Sequence, residues 1–106
     1  MNVRSILNEC LGYEDEVEWI EYKENIFNIN DVGEYISALS NSAAILGKQK
    51  AYMIWGVKNK NHRIVGTNIN YNSDINNEPI QHHLARKLSP SIAFYFDEDE
   101  IKGKRV

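Results

Sequence analysis

The alternation of apolar and polar positions divides the chain into short helices and strands. Val3, Ile6, Leu7 and Cys10 recur at helical spacing, so residues 2–10 are expected to form a short amphipathic helix that Gly12 ends. The acidic loop Glu14-Asp15-Glu16 follows. Val17 to Tyr22 then alternates and is rich in aromatic and β-branched residues, which predicts a strand. Asn25 to Asn30 reads as a loop. Asp31 and Glu34 have the spacing of a capping box, where each side chain satisfies an exposed backbone N–H. Val32, Tyr35, Ile36, Leu39, Ala43 and Leu46 line one face of the helix behind them, and Gly47 stops it. Ala51 to Val57 is apolar throughout, the pattern of a strand buried on both faces. Lys58 to Asn61 is a polar turn, and His62 to Val65 returns as the second arm of a hairpin closed by Gly66. Thr67 to Asn77 reads as a polar loop. Pro79 suits the first turn of a helix whose apolar face is Ile80, Leu84 and Leu88, with Pro90 ending it. Ile92 to Phe96 predicts a further strand. A turn is expected near Gly103, and Val106 opens another strand.

This order predicts an α+β fold, a mixed β-sheet packed with two main helices plus a short N-terminal helix. With 106 residues, one domain spanning 1–106 is expected. A strand that starts at Val106 suggests the N-terminal portion of a longer protein. No apolar run approaches the roughly 20 residues of a membrane span, and no export signal opens the chain. Cys10 stands alone, so no internal disulfide can form. These features point to a cytoplasmic protein that does not engage a membrane.

Charge changes the picture more by its distribution than by its sum. The net charge is −3. Residues 1–34 hold two basic against nine acidic residues, whereas residues 35–96 hold seven basic against two acidic. A basic middle is the kind of footprint that attracts phosphate. Lys58, Lys60 and Arg63 lie at the hairpin tip. Lys48 and Lys50 lie before the preceding strand, about 23 Å away for seven residues of strand. These five residues are the candidate nucleic-acid contacts, and an ordinary solvated turn is the competing interpretation. Arg86 and Lys87 could extend the same surface.

Other chemistry is sparse. Glu21 and Lys23 share a strand face and are expected to form a structural ion pair. Cys10 is expected in the core. His82 and His83 are adjacent on a helix, so their side chains diverge, and no zinc-ligand spacing is present. No phosphate-binding glycine loop and no Gly-x-Ser-x-Gly elbow occurs. No cofactor is therefore expected.

Four segments in order carry a family resemblance: Glu18-Trp19-Ile20-Glu21-Tyr22-Lys23, Ile36 to Ala44, Ile54-Trp55-Gly56-Val57, and Ile64-Val65-Gly66. Together they resemble the Alba-like, Schlafen-type DNA-binding domain that opens many bacterial transcriptional regulators, some described as divergent AAA or RecG-related. The likeness runs from about Glu14 to the C-terminus. It implies a nucleic-acid-binding domain, with DNA or RNA as partner. Many relatives have an Asn-Thr-x-Gly-Gly turn after the helix, where this chain has Asn41-Ser42-Ala43-Ala44. Some Schlafen-type domains are metal-dependent ribonucleases with three acidic residues. Two of these match Glu16 and Glu21, and the third position holds Asn59, which offers a carbonyl oxygen without charge. A binding domain is thus expected rather than an enzyme, with ribonuclease as the alternative. An assembly module, forming a homo-oligomer through strand edges, is a third expectation.

Overall fold

The computed structural model describes residues 2–88 and 92–106. Helix α1 (Val3–Leu11) begins where the Asn2 side chain accepts the Ser5 N–H at 3.0 Å. It buries Leu7 and Cys10, the inward positions of its apolar stripe. Strand β1 (Ile20–Lys23) starts later than its pattern predicts, because the Ile20 N–H bonds back to the Val17 carbonyl in a turn.

Helix α2 (Ile29–Ile45) also starts earlier than the capping-box spacing predicts. Its cap is Asn28, whose Oδ1 accepts the N–H groups of Asn30 and Asp31 at 3.0 and 3.3 Å. Asp31 therefore sits in the first turn, where its charge suits the positive end of the helix dipole. At the other end Gly47 adopts φ +70°, as a helix stop requires. The Lys48 N–H then reaches the Ala43 carbonyl at 2.7 Å and the Gly47 N–H reaches Ala44 at 3.2 Å, a Schellman closure.

Strand β2 (Tyr52–Trp55) runs parallel to β1, with Ile20 opposite Tyr52 and Lys23 opposite Trp55. Helix α2 is the crossover such a pair needs. The expectation of burial on both faces fails: within β2 only Ile54 is buried, and Tyr52, Met53 and Trp55 are half-buried. The reason is that β1 is the sole ladder neighbour of β2 among the described residues.

The chain then turns at Gly56. The predicted hairpin forms, though its ladder shrinks to the Val57–Ile64 bridge with a Lys58 N–H to Arg63 carbonyl bond of 2.9 Å. The expected loop at 67–77 hides a second hairpin, β3 (Asp74–Ile75) with β4 (Glu78–Pro79). Its turn residues Asn76 and Asn77 have φ of 53° and 64°, the left-handed pair of a tight hairpin that asparagine tolerates. Helix α3 (Ile80–Lys87) follows directly from Pro79 and buries Ile80 and Leu84, with Leu88 just beyond. The predicted stop at Pro90 lies outside the described residues.

Among the described residues no strand ladder forms at Ile92 to Phe96. Burial there still alternates, with Phe94 and Phe96 half-buried and Ala93 and Tyr95 exposed. The turn near Gly103 joins β5 (Glu100–Ile101) to β6 (Lys104–Arg105). Val106 does not open a new strand; it exchanges two bonds with Asp99, at 3.1 and 3.0 Å, and so extends this hairpin.

The fold is α+β, as expected. Among the described residues, the strands form three two-stranded sheets, one parallel and two antiparallel, rather than a single mixed sheet. The β1–β2 layer separates two apolar clusters. Ile20, Tyr22 and Ile54 join Leu7, Cys10, Val57, Ile101 and Val106 on one side. Met53 and Trp55 pack toward Val32, Ile80 and Leu84 on the other. Period-two alternation of the two strands is what divides the core.

Candidate nucleic-acid interface

The tip of the hairpin that leaves β2 is held by His62, inside the turn closed by the Lys58 N–H to Arg63 carbonyl bond. This residue takes φ 56°, a left-handed conformation uncommon outside glycine. Its ring rests on Tyr22 with centroids 4.5 Å apart. The Arg63 N–H bonds to the Asn61 side chain at 3.0 Å, which shapes the tip. Lys60 and Arg63 are exposed there, and Lys58 is half-buried. Among the described residues no carboxylate lies within ion-pair distance of these three cations.

Lys48 and Lys50 are exposed at the opposite end of β2. The Lys48 ammonium sits 4.6 Å over the Trp19 ring. A four-residue strand spans roughly 13 Å, so the five candidate cations form two groups rather than one patch. Arg86 and Lys87 both have partners within the fold. Arg86 makes a bidentate pair with Glu78, at 2.8 and 2.7 Å, which holds the Glu78 carboxyl below its ordinary range. Lys87 donates to the Asn30 side chain at 2.6 Å. His82 is exposed and His83 half-buried, so the adjacent histidines do diverge.

The carboxylates are separated too. Glu16 and Asn59 line a small cleft of about 10 Å³ together with Cys10, Tyr22 and His62. That is room for about one water. Burial and then the neighbouring Cys10 push the Tyr22 hydroxyl up to about 12, and among the described residues this oxygen has no hydrogen-bond partner. Glu21 is on the other face of β1. There it pairs with Lys23 at 3.5 Å, the ion pair its spacing predicts. Lys23 in turn lies 4.7 Å from the Tyr35 ring centre, and a hydrogen bond with Tyr35, ahead of Glu21, raises its pKa. Among the described residues no three His, Cys, Asp or Glu side chains converge as a metal site.

Sequence reasoning missed His62 as the anchor of the tip. The available signal was the Asn61-His62 dipeptide, since both residue types are enriched at positive φ. The partner Tyr22 is forty residues away in sequence, and only the fold brings the rings together.

A family model described as Schlafen, AlbA_2 matches residues 16–106. No curated protein and no solved structure matches the chain.

Proposed function

Because the chain belongs to the Schlafen, AlbA_2 family, whose domains are generally nucleic-acid associated, we propose that it binds nucleic-acid phosphates through the Gly56–Gly66 hairpin. The observation that carries this is the exposure of Lys60 and Arg63 on a tip anchored by His62, with no carboxylate beside them among the described residues. A cation kept free of internal partners can replace the counterions of a phosphate, and the released ions drive binding. The tip presents few cations and no built recognition helix, so contact is with the backbone rather than with base edges. Lys48 and Lys50 form a second, weaker contact on a longer nucleic acid. Such a domain would serve a transcriptional regulator as its sequence-tolerant DNA-binding part. Glu16 and Glu21 are given no catalytic role, since they occupy opposite sides of β1.

Charge reversal distinguishes the two cation groups. Fluorescence anisotropy with a labelled duplex at low salt should give dissociation constants on the order of 10⁻⁴ to 10⁻⁶ M, the nonspecific range. Lys60→Glu with Arg63→Glu should weaken binding more than Lys48→Glu with Lys50→Glu. Equal affinity for wild type and the tip variant would remove the hairpin from the interface.

A further inference from the structure

A trough of about 610 Å³ runs along the edge of β2 that β1 leaves open. Its walls are consecutive stretches of chain, Ala51 to Trp55 on one side and Ile92 to Glu98 on the other. Ile36, Leu39 and Ala43 of α2 line it as well. A wall made of consecutive residues is a strand edge, because a sheet face would present only alternate ones.

The ladder shows which backbone groups face the trough. The Tyr52 N–H bonds to the Trp19 carbonyl and the Gly56 N–H to the Lys23 carbonyl, each at 2.8 Å. In a parallel ladder the alternate residues Tyr52, Ile54 and Gly56 thus serve β1, and Met53 and Trp55 point their N–H and C=O groups outward. Among the described residues neither has a backbone partner. The trough is also electrically polar. Lys48 and Lys50 stand where β2 begins. Phe96 lies 6.3 Å from Trp55, which puts Asp97 and Glu98 where β2 finishes; Arg105 lines that end too and pairs with Glu98 at 3.3 Å, so Asp97 carries its remaining negative charge.

We propose that this trough is a strand-addition site for an extended segment of a partner protein. The segment would have apolar side chains at alternate positions and carboxylates at the end nearest Lys48 and Lys50. Its backbone pairs with Met53 and Trp55, its apolar side chains cover the α2 floor, and its acidic end meets the two lysines. The walls carry Tyr52, Trp55, Phe94 and Tyr95, but nucleobases stacked on those rings would leave the Met53 and Trp55 backbone groups unsatisfied, whereas an extended peptide pairs with them directly. The site is separate from the hairpin tip but shares Lys48 and Lys50 with the second nucleic-acid contact, so the Lys60→Glu, Arg63→Glu variant, which leaves the trough untouched, distinguishes failure of one reading from failure of the other.

The probe is a synthetic peptide copying residues 92–100, Ile-Ala-Phe-Tyr-Phe-Asp-Glu-Asp-Glu, which has the required pattern of apolar residues followed by acid. It is added to the 106-residue chain, and hydrogen exchange is followed at the Met53 and Trp55 amides. Both amides should exchange fast in the free protein and at least tenfold more slowly with peptide. A peptide whose four acidic residues are replaced by lysine should bind at least tenfold more weakly, and Lys50→Glu, a surface change, should reduce affinity for the acidic peptide. Protection of both amides before any peptide is added would overturn the proposal, since the chain's own 92–96 segment or a second copy would then fill the trough. Protection by a ten-residue oligothymidine but not by the peptide would overturn it in favour of a nucleic-acid groove.

Discussion

Cys10 and Tyr22 meet in the first apolar cluster, with 1% and 5% of their surface exposed. Burial, then the charge of Glu9, pushes the Cys10 thiol up to about 12, and burial does the same for Tyr22. Both groups are held protonated by the fold, so a raised folded-state pKa sets the sign. Their contribution is complete below the ordinary values of 9.0 and 10.0 and is lost as pH rises toward about 12. Urea midpoints should be flat with respect to these groups near neutrality and fall between about pH 9 and 12. The thiol should also ignore a disulfide reagent at pH 8 until the chain unfolds, and rapid labelling of the native protein would contradict this burial. The cap of α2 gives a second test. Asn28→Ala should cost about 1 kcal/mol by chemical denaturation, and Asp31→Ala should cost less, a few tenths to about 1 kcal/mol, through the helix dipole alone. The sequence offers a polar cap residue followed by an acid three positions later twice, at Asn28-Asp31 and at Asp31-Glu34. Local pattern cannot choose between them. Phe27 and Ile29 settle the choice by packing against the cluster around Val32, a contact that exists only in the folded chain.

At the scale of elements, helices were more legible than strands. The faces of α1 and α3 follow from a period of 3.6 that is local to each segment, and Leu7, Cys10, Ile80, Leu84 and Leu88 are buried as that period requires. In α2 the pattern overreached only at its end, where Leu46 is 46% exposed beyond the last helical residue. Strands depend on distant partners. Ile92 to Phe96 has the composition and alternation of a strand yet finds no ladder among the described residues. The Asn76-Asn77 turn was readable from asparagine's tolerance of positive φ, but two-residue strands are too short to show alternation. Leu84, fully buried between α2 and the β3–β4 hairpin, tests the second cluster. Leu84→Ala should cost about 2–5 kcal/mol in equilibrium unfolding. Gly56 tests the joint between hairpins. It has φ +95°, and a Cβ there would lie 2.9 Å from the Arg105 carbonyl oxygen. Gly56→Ala should therefore destabilise by roughly 1–3 kcal/mol, and a neutral result would mean that β6 can move away from the turn.

For the whole molecule, the sequence revealed the charge asymmetry but not its geometry. Lys48, Lys50, Lys58, Lys60 and Arg63 are close in sequence, and the fold sends them to two ends of β2. Glu16 and Glu21, five positions apart, end on opposite sides of β1, one in the cleft with Asn59 and one paired with Lys23. The direction of each side chain depends on where the turn stops and the strand starts, a boundary that composition does not mark. Among the described residues no helix is long and apolar enough to cross a membrane. What distinguishes this domain is a small hairpin whose cations have no carboxylate partner among the described residues, on a chain that is otherwise net acidic. Salt dependence of binding is the most direct check on that distinction. Two or three phosphate contacts at the tip predict that the logarithm of the duplex binding constant falls against the logarithm of salt concentration with a slope of about −2 to −3, and that the Lys60→Glu, Arg63→Glu variant loses about two units of that slope. A domain that binds neither duplex nor single strand at low salt, or whose slope is the same in that variant, would contradict the assignment.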